Sequence, residues 1–190
     1  MLHLAVGTTS ALTALSAGGA LIAFVLASRF LIHGGEPHRL AGFGAVVGIF
    51  AFLAVIFADP AGSKFMFQLG AALIGFGSGL FAVGTLTAAM GLESEGQTGL
   101  ALGAWGAVQA SAAGLAIAFS GGIRDGAAGL AAHGALGPAL TGASTGYGVV
   151  YVIEIVLLFA TLVAIGPLVR PVSETEARPP SRFGLAEFPG

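Results

Sequence analysis

The sequence is poor in charge, and this sets the first limit on what the chain can be. It has seven Lys or Arg and nine Asp or Glu among 190 residues, or 8%, whereas a soluble domain carries about 25%. So few ionised groups cannot cover a water-facing surface of this size. Most of the chain is therefore expected to contact lipid or other protein. The net charge of −2 offers no basic surface for nucleic acid.

Cysteine is absent, which excludes disulfides, thiolate metal sites and cysteine nucleophiles. The sequence also has no H-E-x-x-H or Walker motif, so it predicts no enzyme and no catalytic residue. The histidines lie in predicted loops or at predicted interfaces rather than inside an apolar stretch, so no metal site is predicted; they are His3, His33, His38 and His133.

Long apolar stretches make up most of the chain, since 56% of its residues are hydrophobic and 32 are glycine. A membrane-spanning helix needs about 20 apolar residues. Five stretches meet this length, over residues 8–32, 40–58, 65–90, 98–120 and 147–169. The sequence therefore predicts an all-α, polytopic membrane helix bundle of about five transmembrane helices.

The segments between these stretches predict how the chain is divided. The Gly121-Gly122 pair predicts the end of the fourth span. Residues 123–146, with Arg124, Asp125 and Pro138, predict an interfacial loop that contains a short helix at most. Residues 171–190 are polar and rich in proline, which indicates an extended tail. We expect a five-helix membrane domain over residues 1–170 and a separate tail over 171–190.

Basic residues in short loops predict the orientation, because Lys and Arg concentrate on the cytoplasmic side. One predicted side carries five of them and the other carries Lys64 and Arg124. The five are Arg29, Arg39, Arg170, Arg178 and Arg182. This places the C-terminus in the cytoplasm and, with five spans, the N-terminus in the periplasm.

Small residues recur at helical spacing in two spans. In the third span Gly75 and Gly79 form a small-xxx-small pair. The fourth span carries a longer series, namely Gly99, Gly103, Gly106, Ala110 and Gly114. Such residues let helix backbones approach closely in membranes. We interpret both sets as helix-packing seams, with a smooth surface for a flat pigment as the alternative.

Three polar residues fall inside predicted spans: Glu154, Gln109 and Gln68. An acid at membrane depth is costly and faces protein or water. Glu154 is expected to form a structural hydrogen bond, carry a proton, bind a cation or contact a pigment or partner. Both glutamines are expected to form helix-to-helix hydrogen bonds. Trp105, Tyr147 and Tyr151 lie near predicted span ends, as in an interfacial aromatic belt.

Several collinear segments resemble one family. They are LTALSAGGAL, IGFGSGLFAVGTLTAAM, the run from Gly99 to Gly126, AAHGALGPAL, and TGYGVVYVIEIVLLFATLVAIGPLVR. Together they resemble the PucC/LhaA family, the bacteriochlorophyll delivery branch of the major facilitator superfamily, over about residues 5–170. Family members have twelve spans in two six-helix halves, and this chain resembles only the last five. It is expected to be a truncated member or a piece of a longer product.

The resemblance implies a phototrophic bacterium and its intracytoplasmic photosynthetic membrane. The function it implies is a structural or assembly subunit of the reaction centre–core light-harvesting complex. Such a subunit would act by helix packing against core antenna polypeptides and reaction-centre subunits, with membrane lipids around it. The alternative is a bacteriochlorophyll carrier that works as an oligomer or with a separate first half. Bacteriochlorophyll, a carotenoid or a lipid are the candidate interfacial ligands, and no residue is assigned to them.

One short segment, Leu26 to Phe30, resembles the facilitator loop motif of the second half. Ser28 stands where that motif has an acid, so the resemblance does not extend to a working gate. Alternating access in such transporters requires two repeats moving around a central site. For this reason a packing role is preferred to a transport role.

Overall fold

A computed structural model describes residues 6–91, 98–137, 140–142 and 144–169. Within these residues the chain forms five α-helices and no strand: α1 (Val6–Ile32), α2 (Pro37–Ala58), α3 (Lys64–Met90), α4 (Thr98–Ala132) and α5 (Thr145–Ile165). All five are long and apolar enough to cross a membrane. The predicted all-α, polytopic membrane fold is confirmed. The predicted tail over 171–190 and His3 lie outside the described residues.

Helix α4 is longer than the sequence predicts. It continues through Gly121 and Gly122 to Ala132 and is 35 residues long, so the predicted end at residue 120 and most of the predicted interfacial loop are wrong. Glycine is tolerated inside membrane helices, and no proline interrupts this segment until Pro138. At 1.5 Å per residue α4 is about 52 Å long, longer than the apolar core of about 30 Å that it has to cross.

Two prolines set other helix ends. Pro37 begins α2, three residues before the predicted start of the second span at residue 40; the first helical position needs no N–H donor, and the proline ring already has a helical φ. Near the C-terminal end α5 stops at Ile165 and a short 3-10 turn, Gly166–Leu168, follows. The predicted span over residues 147–169 agrees with the apolar span Thr145–Leu168, although its last turn is 3-10 because Pro167 cannot continue the α-helical hydrogen-bond ladder.

The best-packed part of the molecule is formed by α1, α2 and α3, with α3 between the other two. One face of α3 approaches α1 through glycines. A Cβ at Gly75 would collide with the backbone of Ser16, and one at Gly79 would lie 2.8 Å from the Cβ of Ala23. Ala23 and Ala27 of α1 are fully buried in this contact, together with Leu80 of α3.

The other face of α3 approaches α2 in the same way. A Cβ at Gly77 would lie 2.8 Å from the carbonyl oxygen of Gly44, and a Cβ at Gly84 would lie 2.7 Å from the backbone nitrogen of Ala41. Membrane helices gain no hydrophobic driving force from contact with each other, so close van der Waals packing of this kind holds them together. Glycine on both faces lets α3 pack closely against two helices at once.

Helices α5 and α4 are attached outside this three-helix unit. Helix α5 lies against α2, where the rings of Phe52 and Tyr151 are 5.7 Å apart. Helix α4 lies mainly against α5 and meets α3 at one point, where Trp105 Nε1 donates a hydrogen bond of 3.2 Å to Thr85 Oγ1. In the apolar stretch of α2, 44% of the residues are buried. In the apolar stretches of α4 and α5, no residue is buried. The packing order is therefore α1, α3, α2, α5, α4.

Candidate functional site

Glu154 lies in a cleft between α4 and α5. It is nine residues after the first residue of α5, about 14 Å along the helix axis, and is half-buried. The cleft has a volume of ≈ 250 Å³ and is lined on the α4 side by Ala116, Phe119, Ser120 and Ile123. Small side chains at 116 and 120 leave the space, and Glu154 is the one ionisable group in the lining.

The described residues provide no hydrogen bond or ion pair to the Glu154 carboxyl. The nearby Ser120 hydroxyl donates to the Ile117 carbonyl within its own helix, at 3.2 Å. Placing a carboxyl group in an apolar cleft without a hydrogen-bond partner costs free energy. It can donate a hydrogen bond when neutral, or accept one or ligate a cation when charged. The structural hydrogen bond expected for Glu154 is not formed by the described residues, so its role remains a prediction.

The two glutamines do not form the helix-to-helix hydrogen bonds that their positions predicted, at least among the described residues. Gln109 is half-buried on the face of α4 that carries Trp105, one turn earlier. The side-chain hydrogen bond that joins α3 and α4 in this region is made by Trp105 and Thr85, and Gln109 forms none with α3 among the described residues. Gln68 is exposed near the start of α3. The structure brings neither glutamine to Glu154.

The three aromatic candidates each contact a neighbouring helix. Trp105 bonds to Thr85, a partner that sequence reasoning missed; the signal available was a threonine well inside the third span. Tyr151 packs on Phe52. Tyr147 lies under the guanidinium of Arg124, whose Cζ is 5.5 Å from the ring centroid. An aromatic belt at the membrane surface remains a prediction for all three.

Arg124 connects the far part of α4 to the start of α5. Its guanidinium forms an ion pair of 2.8 Å with Asp125, and its Nη1 lies 3.5 Å from the Tyr147 hydroxyl. At the same place the backbones of α4 and α5 are close, since a Cβ at Gly146 would lie 2.6 Å from the Arg124 carbonyl oxygen. The pair thus belongs to a helix contact and not to the loop that the sequence predicted.

The glycines predicted to form packing seams divide into two groups. Gly75 and Gly79 of α3 lie against α1, as described above. On α4 the space around each predicted seam glycine is open: no heavy atom lies within 4 Å of a Cβ built at Gly99, Gly103, Gly106 or Gly114. Within the described residues the α4 series is not a helix contact, because α4 faces α5 and α3 with another side. A seam there remains a prediction about a partner outside this chain.

The histidines and carboxylates show no metal centre in the part of the chain that is described. No group of three or more His, Asp or Glu there could hold a metal ion. His33 and His38 lie at the turn between α1 and α2, and His133 directly follows α4.

A family model and several known proteins each match more than half of this chain. The sequence model of the family described as PUCC protein matches residues 1–173. An uncharacterised protein of Rhodobacter capsulatus, named for the puhA-bchM intergenic region, is 51% identical over 192 residues, which cover 100% of this chain and 40% of that protein. Protein PucC of Cereibacter sphaeroides is 45% identical over 172 residues, which cover 90% of this chain and 36% of that protein.

Protein PucC of Rhodovulum sulfidophilum is 50% identical over 111 residues, which cover 58% of this chain and 24% of that protein. The chain therefore spans at most 40% of the length of the curated relatives it matches. No solved structure matches it.

Proposed function

Since this chain belongs to the PUCC protein family, we propose that it is a structural and assembly subunit of a photosynthetic complex in a phototrophic bacterium. The proposed partners are the core light-harvesting polypeptides and the reaction-centre subunits, within the intracytoplasmic membrane. The proposed mechanism is helix packing. The observation that carries it is the open glycine series of α4, to which no helix of the described chain packs.

This series forms one narrow surface, which we call the α4 glycine stripe: Gly99, Gly103, Gly106, Ala110 and Gly114. At about 100° per residue these positions lie within a wedge of roughly 80°. On the opposite side of the helix, the bulky side chains of Val108 and Leu115 are 69% and 58% exposed. Lipid chains cover such a bulky apolar surface well, whereas a groove without side chains suits the backbone of another helix.

The α3 glycines show what such a groove does within this chain. Each predicted seam glycine of α3 lies against the backbone or small side chains of a neighbouring helix. The α4 stripe repeats the Gly-xxx-Gly spacing, at Gly99 and Gly103, without the neighbour. Glycine inside a helix costs about 1 kcal/mol relative to alanine, so a series of them is favoured where close packing offsets that cost. We infer that the neighbour is a transmembrane helix of the photosynthetic complex.

The proposed orientation has the N-terminus in the periplasm and the C-terminus in the cytoplasm. It is supported by the positions of two pairs of basic residues. Arg29 and Arg39 flank the turn between α1 and α2, whereas Lys64 begins α3 and Arg124 lies far along α4, at the opposite end of the bundle. The first pair, with the arginines after residue 169, marks the cytoplasmic side under the positive-inside rule.

Co-purification tests the proposed function. The complex is solubilised in mild detergent and purified through a tag on an antenna polypeptide. The amount of this chain that is retained in the purified complex is then measured. Gly106→Leu fills the stripe and is expected to reduce retention at least about tenfold, as loss of a close helix contact of about 1.4 kcal/mol would do. Ala104→Leu adds bulk roughly 160° around the same helix and should leave retention unchanged. Absence of the wild-type chain from the complex would refute the proposal.

A second candidate, a bacteriochlorophyll carrier working with further helices, is supported by the Glu154 cleft. A carboxyl group there could ligate a pigment magnesium or donate a hydrogen bond to a carbonyl of the macrocycle. The cleft volume of ≈ 250 Å³ is below the range of about 300–1,000 Å³ found for small-molecule sites. It would hold only part of a pigment, so other helices would have to complete the site. Co-purification of free pigment with this chain, in place of antenna polypeptides, would favour this second role.

A further inference from the structure

A second cleft, at the turn between α1 and α2, has a different chemistry. It has a volume of ≈ 430 Å³, within the range that holds small ligands, and its lining includes Arg29, His33, Glu36 and Arg39. No part of the proposed packing function uses these residues. The cleft lies at one end of the bundle, where the turn between α1 and α2 joins two apolar helices.

The backbone of this turn explains why these side chains share one cleft. Gly34 has φ +82, its N–H donates to the Leu31 carbonyl at 3.0 Å, and the Gly35 N–H donates to the Phe30 carbonyl at 2.9 Å. This double hydrogen bond is a Schellman cap, which reverses the chain immediately after a helix. Helix α2 begins at Pro37, so Arg29 before the cap and Arg39 after it line the same cleft.

The cations of the cleft are incompletely paired. The Arg29 side chain forms no hydrogen bond or ion pair with the described residues. Arg39 Nε lies 3.8 Å from Glu36 Oε2, which is too long for a hydrogen bond. His33 Nδ1 lies 2.7 Å from the Arg29 carbonyl oxygen and must donate to it, because a carbonyl only accepts. With respect to the described residues, two guanidinium groups therefore have donors left for an anion.

The carboxylate of the cleft is incompletely paired as well. Glu36 Oε1 is 3.0 Å from His38 Nδ1, but Glu36 Oε2 is buried and accepts no hydrogen bond from any described residue. A buried acceptor without a donor is costly. The cleft thus has donors for an anion and an acceptor that needs an N–H or O–H donor.

An amine-bearing phospholipid headgroup provides both an anion for the guanidinium donors and an N–H donor for the Glu36 acceptor in one molecule. Its phosphate suits two guanidinium groups, and its primary ammonium can donate to Glu36 Oε2. Apolar side chains continue down α1 from the cleft, with Val25 53% and Leu26 46% exposed, which suits acyl chains. We propose that the α1–α2 cleft binds the headgroup of an amine-bearing phospholipid, with phosphate at Arg29 and Arg39 and ammonium at Glu36.

Native mass spectrometry of the full chain in detergent, with one added lipid at a time, tests this proposal. The three probes have the same acyl chains: phosphatidylethanolamine, phosphatidylcholine, which has no N–H donor, and phosphatidylglycerol, which has no amine. Wild-type adducts with phosphatidylethanolamine should exceed those with phosphatidylcholine by about tenfold, the effect of one charge-assisted hydrogen bond. Equal adducts, or a preference for phosphatidylglycerol, would overturn the assignment of the amine.

Variants separate the two halves of the site. Arg29→Gln should reduce adducts of all three lipids, whereas Glu36→Gln should remove only the preference for phosphatidylethanolamine over phosphatidylcholine. Lys64→Gln, which removes an exposed cation at the opposite end of the bundle, is the control and should change nothing. Unchanged adducts in Arg29→Gln would overturn the phosphate assignment. Competition by inorganic phosphate at equal concentration would show that the ligand is a free phosphate and not a lipid. If Glu36→Gln does not fold, the assignment of the amine is tested by the wild-type chain alone, from its ratio of phosphatidylethanolamine to phosphatidylcholine adducts.

Discussion

At the scale of the residue, glycine has two opposite surroundings in this protein. At Gly75 and Gly84 the backbone of a neighbouring helix occupies the place where a side chain would begin. At Gly103 and Gly106 that place is empty. The first pair holds the chain together, and the second pair is available to something else. The physical difference is a single methyl group, which is either a clash or an addition to open space.

Gly75→Ala is expected to destabilise the α1–α3 contact. Its Cβ would collide with the Ser16 carbonyl, and overpacking of this kind costs about 1–3 kcal/mol. The measurement is the free energy of unfolding in an SDS titration of the purified chain in mixed micelles, followed by circular dichroism. Gly18→Ala is the control, because no atom lies within 4 Å of a Cβ at Gly18 and alanine favours helix. Equal midpoints for the two variants would contradict the packing described here.

The sequence identifies these glycines but does not show which of them contact another helix. Gly75-xxx-Gly79 and Gly99-xxx-Gly103 are the same pattern in equally apolar surroundings, and only the tertiary arrangement places a helix against the first and none against the second. Glu154 is similar. Its depth in the fifth span could be predicted from the sequence, but the partnerless cleft around it depends on small residues of α4 that lie more than thirty positions earlier.

At the scale of the element, α4 differs from the other helices in length and in attachment. It continues past two adjacent glycines to Ala132 because nothing in residues 121–132 removes a backbone donor. Sequence reasoning gave glycine the weight that it has in water, where it terminates helices. The other four helices could be predicted to within a few residues, since proline or polar turns bound them and their interiors are continuous apolar stretches.

The contact of α4 with α5 depends on Gly146. A valine there would place its Cβ 2.6 Å from the Arg124 carbonyl oxygen and 3.3 Å from the Ala128 Cβ, so Gly146→Val is expected to separate the two helices at this end. Amide hydrogen exchange reports such local opening. Exchange in residues 123–132 should accelerate while exchange in α1, α2 and α3 stays the same.

Gly148→Val tests whether this effect is specific to position 146. No atom lies within 4 Å of a Cβ at Gly148, although it is on the same helix two residues later. It should leave exchange in residues 123–132 unchanged. If both valines accelerate exchange equally, the cause is the helix propensity of α5 and not its contact with α4.

At the scale of the whole molecule, the helices pack in the order α1, α3, α2, α5 and α4, and α4 also contacts α3 through Trp105 and Thr85. Three of these helices are joined closely by glycine, and α5 and α4 are added with few buried residues. Sparse packing of this kind leaves faces that lipid or another protein has to cover. The α4 glycine stripe is the face least suited to lipid, which is why the proposed function places a partner helix there.

Crosslinking from α4 tests this central claim most directly, because the chain has no cysteine of its own. Single cysteines placed along α4 are labelled with a photoreactive group, and crosslinks to antenna and reaction-centre polypeptides are counted in native membranes. Crosslinks are expected from the stripe positions Gly103, Gly106, Ala110 and Gly114, and few are expected from Ala104, Val108 and Leu115 on the opposite side. Crosslinks from the opposite side alone, or none from any position, would contradict the claim.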